Sequence, residues 1–433
     1  MTTRSRVTAP QGSIRTWSES AAFVVAAFYV FTIPWENTVV VPSIGTASRA
    51  AGFLLIFAWL IMQALGPQFR HFRLPHALVF ALVLWICLSA LWSIDVPAAL
   101  IQLRTFLQLF MSLVILWSIL NTKHRVRWGL QAFVFGAVVV AGGVFYNQFL
   151  GNVQTYSGRA TIAGVDQNDI ALVLAMALPM ALYLGTSTRN KWHSVLSTVF
   201  NLMYIPAGYV AIIMTGSRGG TLSTLPFLIY ALYLSLNSRA RGVLGLAILV
   251  PATIAVIINF APEAPLQRIG ETYEQVDAGD MSGRGEIWNA GYQAWLAGGF
   301  NSVIGFGSGT YRAIVGRGAH NTPLSVLVEL GIVGLVLFFG VVATLIRESW
   351  RADPKIRGLC LALLACWAIG TLSLTWEYRK PTWVLWSLVL CTAVSYSQNE
   401  AKSGNHRRRS RKRRKTKLGV DKSRTTRIKG RPC

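Results

Sequence analysis

Charge is scarce in this chain, and acidic charge most of all. Charged side chains make up 13 % of its 433 residues, and Asp and Glu number only 17 against 41 Lys and Arg. Soluble domains carry about 25 % charged residues, so the composition excludes a water-soluble chain of two or three domains. Cysteine is equally sparse. Of the five, Cys87, Cys360, Cys366 and Cys391 fall within apolar runs and Cys433 ends the sequence. Neither a disulfide framework nor a zinc site is expected from them. A small-residue cleavage site is missing after the first apolar stretch, although Arg4, Arg6 and Arg15 precede it. The stretch therefore reads as an uncleaved first helix and not as a signal peptide.

What is present is apolar sequence, 53 % of the chain. It recurs in runs close to the roughly 20 residues that cross a bilayer. The expected fold class is all-α, a polytopic membrane protein of about 12 transmembrane helices. The spans fall near 20–35, 50–66, 76–93, 100–120, 128–150, 168–185, 196–214, 220–236, 242–260, 322–346, 356–374 and 381–397. Cytoplasmic loops collect Lys and Arg, and with the N-terminus inside, 31 of the 41 basic residues lie on that side. Both termini are thus expected in the cytoplasm. The chain divides into an N-terminus (1–19), nine spans (20–260), a long periplasmic loop between helices 9 and 10 (261–321), three spans (322–397) and a basic tail (398–433). Within the loop, Ile287, Trp288, Gly291, Tyr292, Trp295 and Leu296 follow a helical period. They predict an amphipathic helix at the outer membrane–water boundary, with both tryptophans as anchors.

Three constellations fall on the outer face. Gly216-Ser217-Arg218-Gly219-Gly220 joins two spans with almost no loop. An arginine at membrane depth costs roughly 2.5–3.5 kcal/mol on insertion scales and so usually faces a cavity or a partner. The blander reading is a tight turn whose arginine reaches the headgroups. Gly283-Arg284-Gly285-Glu286 opens the amphipathic helix, where a guanidinium beside helix N–H groups suits a phosphate. A surface arginine paired with Glu286 or Asp280 is the alternative. Gly305-Phe306-Gly307-Ser308-Gly309 lacks the preceding strand and the lysine of a nucleotide-binding loop, and reads as a re-entrant turn. In Ala319-His320-Asn321-Thr322-Pro323, His320 is the one histidine of six placed outside, and it titrates near neutrality. It reads as a general base or as a capping histidine. Glu329, nine residues on, points about 180° away in an unbroken helix and is not expected to orient it.

Arg104, Asn168, Asp169 and the Glu377-Tyr378-Arg379-Lys380 turn each line an outer cavity or anchor the interface. The tail holds 15 basic residues without an aromatic or nucleic-acid motif. It is expected to bind anionic lipid of the inner leaflet and no nucleic acid. No outer carboxylate cluster suggests a metal, and no cofactor is expected.

The ordered set Thr215–Gly220, Gly283-Arg284-x3-Trp288 with Gly305-x-Gly307-x-Gly309, and His320-Asn321 with Glu329-Leu330-Gly331 resembles the O-antigen ligase and polymerase superfamily of bacterial inner membranes. The resemblance covers about residues 160–345. It implies a metal-independent, inverting glycosyltransferase active on the periplasmic face, with undecaprenyl-diphosphate-linked glycan as donor. For a ligase the acceptor is lipid A–core, and the product completes lipopolysaccharide. Carried over, Arg218 and Arg284 hold the diphosphate and His320 acts on the acceptor hydroxyl. Asn321, Arg104 and Asn168 join them as substrate-binding residues. A repeat-unit polymerase shares these motifs, and a transporter of lipid-linked glycan is the alternative from another class.

Overall fold

In the computed structural model, residues 11–43, 45–66, 70–150, 159–162, 165–187, 192–237 and 283–397 are described. They are almost wholly helical. The order is α1 (Gln11–Thr32), a two-stranded hairpin β1 (Val40–Val41) and β2 (Gly45–Thr46), α2 (Ala47–Leu65), α3 (Leu74–Ser89), α4 (Val96–Ile119), α5 (Lys123–Leu150), α6 (Gln167–Thr186) and α7 (Trp192–Met214). The short α8 (Arg218–Leu222) and α9 (Leu225–Asn237) follow, then α10 (Arg284–Leu296), α11 (Asn301–Ile304), α12 (Tyr311–Val315), α13 (Thr322–Trp350) and α14 (Pro354–Thr371). A last helix, α15, covers 380–397. The hairpin is antiparallel, with Val40 opposite Thr46.

Eight of the described helical segments, with α8 and α9 counted as one, are long and apolar enough to cross a membrane. The protein is an all-α, multi-pass membrane protein. Each expected span coincides with a helix except 242–260, which lies outside the described residues, as does the basic tail. Boundaries differ in three instructive places. Helix α1 begins at Gln11, so Arg15 and Glu19 form an ion pair one turn apart on it, at 3.3 Å. The expected span 220–236 is broken at Ser223–Thr224 into α8 and α9. Helix α13 runs on to Trp350 and is kinked at Gly331.

Burial sorts the helices into a centre and a rim. In α6 the most apolar 18-residue window is 89 % buried, against 22 % in α2. Helix α15 is as enclosed as α6, with Trp386 packed edge-on or tilted against Trp367, Phe338 and Trp383. The rim turns bare apolar side chains outward, among them Phe53, Leu54 and Phe57 of α2 and Ile229 and Leu232 of α9. Water does not tolerate such continuous stripes, whereas lipid does. One polar pair inside the bundle is closed on itself. Gln131 of α5 and Asn201 of α7 exchange two amide hydrogen bonds, at 2.8 and 3.2 Å, with both side chains buried.

That exchange predicts an asymmetric outcome. Asn201→Leu strands the Gln131 amide among apolar helices and should lower stability by about 1–2 kcal/mol. The joint replacement of Gln131 and Asn201 by Leu should recover most of the loss, read as thermal unfolding in detergent.

Candidate functional site

The four helix starts that matter for the site each carry a side-chain cap. Asp166 accepts from the Asn168 N–H of α6 at 2.7 Å, Ser217 from the Gly220 N–H of α8 at 3.2 Å, and Asn321 from the Leu324 N–H of α13 at 2.9 Å. Asp95 does the same for α4 through Ala98, at 3.0 Å. Such caps satisfy N–H groups that have no partner within their helix. All four starts lie at one end of the bundle, together with the turn between α14 and α15.

The kink of α13 organises that end. Gly331 has φ 68° and ψ −170°, a backbone closed to other residues without strain. The kink releases carbonyls from the helix ladder, and each finds a new donor. Phe306 N–H donates to Val328 O at 3.1 Å, Gly307 N–H to Glu329 O at 2.9 Å and Trp85 Nε1 to Leu330 O at 3.0 Å. The Glu329 carboxylate then accepts from Gly309 N–H at 2.7 Å and Tyr311 N–H at 3.1 Å. The glycine-rich run 305–309 is thus a loop inserted into a broken helix. Close backbone approach explains its glycines, since a Cβ at Gly305 would meet the Glu329 carbonyl.

His320 sits between two pinned neighbours. Trp288 Nε1 donates to the Ala319 carbonyl at 2.9 Å. On the other side Asn321, besides capping α13, donates through Nδ2 to Leu372 O at 3.2 Å. His320 itself has φ 46°, a left-handed conformation that non-glycine residues rarely hold without support from their surroundings. Its ring is exposed at the mouth of the site. Partial loss of water lowers its pKa below the ordinary 6.5, and the charge of Arg284 lowers it further, with Asp166 and Asp169 pulling the other way. The structure therefore brings Arg284 into the field of His320.

A series of hydrogen bonds, joined through neighbouring residues, runs from Thr322 to the start of α8. Thr322 donates to Leu374 O and accepts from the Trp376 N–H, both at 2.8 Å. Trp376 Nε1 donates to Asp169 at 2.7 Å. The adjacent Asn168 accepts from Ser217 Oγ at 2.8 Å. Ser217 caps the helix that begins with Arg218, and a Cβ on the next residue, Gly219, would meet Ser373 beside Leu372. The start of α8, which carries Arg218, and the segment of His320 thus share one framework, and Arg284 acts on His320 by its charge. Asn168 and Asn321 belong to the same framework, with hydrogen bonds to neighbouring side chains and backbone. Arg104 is exposed on α4, and among the described residues no hydrogen bond or ion pair joins it to this network.

Two features were not anticipated. Arg159, in the segment before α6, donates to Thr215 O at 2.8 Å and to Asn168 at 3.2 Å, bracing the turn that carries Arg218. Its signal was the one that marked Arg218, an arginine on a face that otherwise avoids them. The second is a correction. The helix expected around Trp288 exists as α10, and the indole N–H groups expected at the headgroups are turned to protein carbonyls instead. Trp288 donates inward to Ala319, and Trp295 to Ser302 O at 2.9 Å. Both pack on a small core of Ile287, Tyr311 and Val328. The apolar side chains left bare there are Tyr292, Leu296 and Phe300.

Buried Glu377 accepts from Ser325 at 2.8 Å, and burial first, then the charge of Glu329, pushes its pKa up. Among the described residues no three His, Cys, Asp or Glu side chains are grouped as ligands for a metal.

The Glu329 cage makes a prediction. Glu329→Gln keeps shape but sets an amide N–H₂ against one of two backbone donors. The loop 305–311 should loosen at a cost of about 1–3 kcal/mol, seen as faster proteolysis of the 283–321 segment. Unchanged proteolysis would show that packing alone holds the loop.

No curated protein matches the chain. The family model described as O-antigen ligase matches residues 199–339, from within α7 to the middle of α13. The matched segment, about a third of the chain, holds Arg218, Arg284 and His320 together, and over it the chain is similar to the O-antigen ligase family.

Proposed function

We propose that the protein is an O-antigen ligase of the bacterial inner membrane. It moves a glycan from undecaprenyl diphosphate to lipid A–core on the periplasmic face, with both termini in the cytoplasm. The observation that carries this reading is the convergence of two arginines and one histidine on a braced framework at a single end of the bundle. The family match supports the superfamily, whose substrates are lipid-linked glycans.

The chemistry follows from the groups. Neutral His320 takes the proton of the acceptor hydroxyl as its oxygen attacks the anomeric carbon. The bond from that carbon to the diphosphate oxygen breaks, and attack from the opposite face inverts the anomeric centre. Negative charge grows on the departing undecaprenyl diphosphate. Arg218 and Arg284 stabilise it, as guanidinium groups do well where water is limited. Partial loss of water, and after it the charge of Arg284, favour the neutral form of His320, so Arg284 serves both ends of the reaction. Arg159 positions the Arg218 turn. Arg104 lies at the edge of this assignment as a further donor contact.

The assay supplies purified protein with undecaprenyl-diphosphate-linked glycan, with and without lipid A–core, and chelator in both. Glycan on lipid A–core is the expected product. Longer lipid-linked chains formed without the acceptor would make the protein a polymerase. No covalent product from folded protein would favour a transporter of lipid-linked glycan.

Two further outcomes test the residues. His320→Ala should lower transfer by about 10²–10⁴-fold, the usual worth of a general base. The rate should fall as pH drops through the lowered pKa of His320, placing the acid limb below pH 6.5. Arg284→Gln removes a positive neighbour, so that limb should move to higher pH while the maximal rate falls. An unmoved limb would separate Arg284 from His320.

A further inference from the structure

At the end of the bundle away from the site, positive charge is left without its balance. Helix α13 has 29 residues, so Arg351, just past its end, lies roughly 40 Å along the helix from the Asn321 cap. That is about the thickness of a bilayer with its headgroups. There Arg73, before α3, donates to Glu348 Oε2 at 2.9 Å, and Arg351 donates to Glu348 Oε1 at 2.7 Å. Two guanidinium groups thus share one carboxylate. The carboxylate side chain is only 5 % exposed, whereas the two cations remain open, at 31 % and 49 %.

Arg70 adds a third cation. Its guanidinium stacks 3.5 Å from the centre of the Trp117 ring, and Nη1 donates to Trp117 O and Leu120 O, each at 3.4 Å. Those bonds are long. The carbonyls at the end of α4 offer partial negative charge but no counter-ion. Among the described residues no carboxylate pairs with Arg70. Loss of water lowers its pKa, and Arg73 acts in the same direction, against the Cys391 thiol. Two donors beside it, Trp117 Nε1 and His76 Nε2, are buried without an acceptor, and the two rings lie 4.6 Å apart. Three guanidinium groups and two spare N–H donors therefore gather around one carboxylate. A half-buried cation left in that state is stabilised by an anion from outside the chain.

The surroundings of the cations identify the anion. Phe72 and Leu74, on either side of Arg73, and Trp350, next to Arg351, are exposed. In Arg70-His71-Phe72-Arg73-Leu74 cationic and bare apolar side chains follow one another, as they do where headgroups meet acyl chains. A free phosphate leaves those apolar side chains uncovered, whereas a phospholipid meets both kinds of group. We propose that Arg70, Arg73 and Arg351 bind the headgroup phosphate of one anionic phospholipid, whose acyl chains lie against Phe72, Leu74 and Trp350. The lipid then bridges the start of α3 and the end of α13, two helices that meet again at the kink through Trp85 Nε1 and Leu330 O. The site stands whichever reaction the opposite end performs.

The test counts bound lipid. Purified full-length protein in neutral detergent is titrated with phosphatidylglycerol and, separately, with phosphatidylcholine, and retained lipid is read by native mass spectrometry. The wild type should retain phosphatidylglycerol in preference. Arg70→Gln and Arg351→Gln should each weaken that retention about fivefold, the effect of ~1 kcal/mol per arginine near a lipid surface. Arg351→Gln leaves Glu348 paired with Arg73, so it keeps the test open if Arg70→Gln does not fold. Arg127→Gln is the control. It removes the same charge at the same end, but on α5, where Arg127 donates to Leu184 O at 3.1 Å, and it should bind as the wild type does. An equal loss in Arg127→Gln would mean diffuse attraction to that face, the basic tail included, and overturns the site. Equal retention of phosphatidylcholine, or unchanged retention of phosphatidylglycerol in Arg351→Gln, overturns it too. Displacement of the lipid by an equal concentration of inorganic phosphate would make the ligand a free anion and overturn the lipid assignment.

Discussion

The arrangement of the site depends on a carboxylate that takes no part in the proposed chemistry. Glu329 lies where α13 breaks, and its two oxygens accept backbone N–H groups from Gly309 and Tyr311. A broken helix within a membrane protein exposes carbonyls that hydrocarbon cannot satisfy. Here the break and the inserted loop solve each other's problem. Loop N–H groups take the freed carbonyls, and the helix supplies the carboxylate that holds the loop. Tyr311 then reaches Ile287 O at 2.9 Å, so α10 is docked through the same joint. The Glu329 cage is thus one of the ties that fix α10 relative to α13, beside the packing of Ile287 and Tyr311 on Val328.

The same joint explains how His320 stays in a left-handed conformation. Strain of this kind costs of order 1–3 kcal/mol and persists only when the surroundings over-determine the residue. The chain before His320 is held by Trp288 and the chain after it by Asn321, each through hydrogen bonds to separate elements. A histidine that served only as a cap would need neither constraint. Fixing the backbone on both sides sets where the ring can point, which matters for a group that must meet a hydroxyl.

Much of this was legible in residue order, for definable reasons. Span positions follow from apolar run length, and the outer arginines stand out because that face otherwise avoids basic residues. Direction of packing was not legible. The period of Ile287, Trp288, Gly291 and Trp295 says that one face of α10 is apolar, but not whether lipid or protein covers it. Protein does, because the α13 kink brings Val328 and Tyr311 beneath that face. The break of the eighth span at Ser223–Thr224 was hidden for a similar reason, since hydropathy continues smoothly through it. Contacts such as Trp376 with Asp169, 207 positions apart, have no local signature at all.

Charge placement tunes the site. In the proposed reaction Arg218 and Arg284, with Arg159 bracing the turn that carries one of them, supply positive charge to a diphosphate that is held and then released. Asp169 and Glu36 meet their own cations, Arg379 and Lys380, within the protein. His320 has its basicity lowered first by partial loss of water and then by the charge of Arg284, with Asp166 and Asp169 acting the other way. A base so placed is tuned by the difference between those charges, and its strength is set by residues on α6 and α10 that are far from it in the sequence.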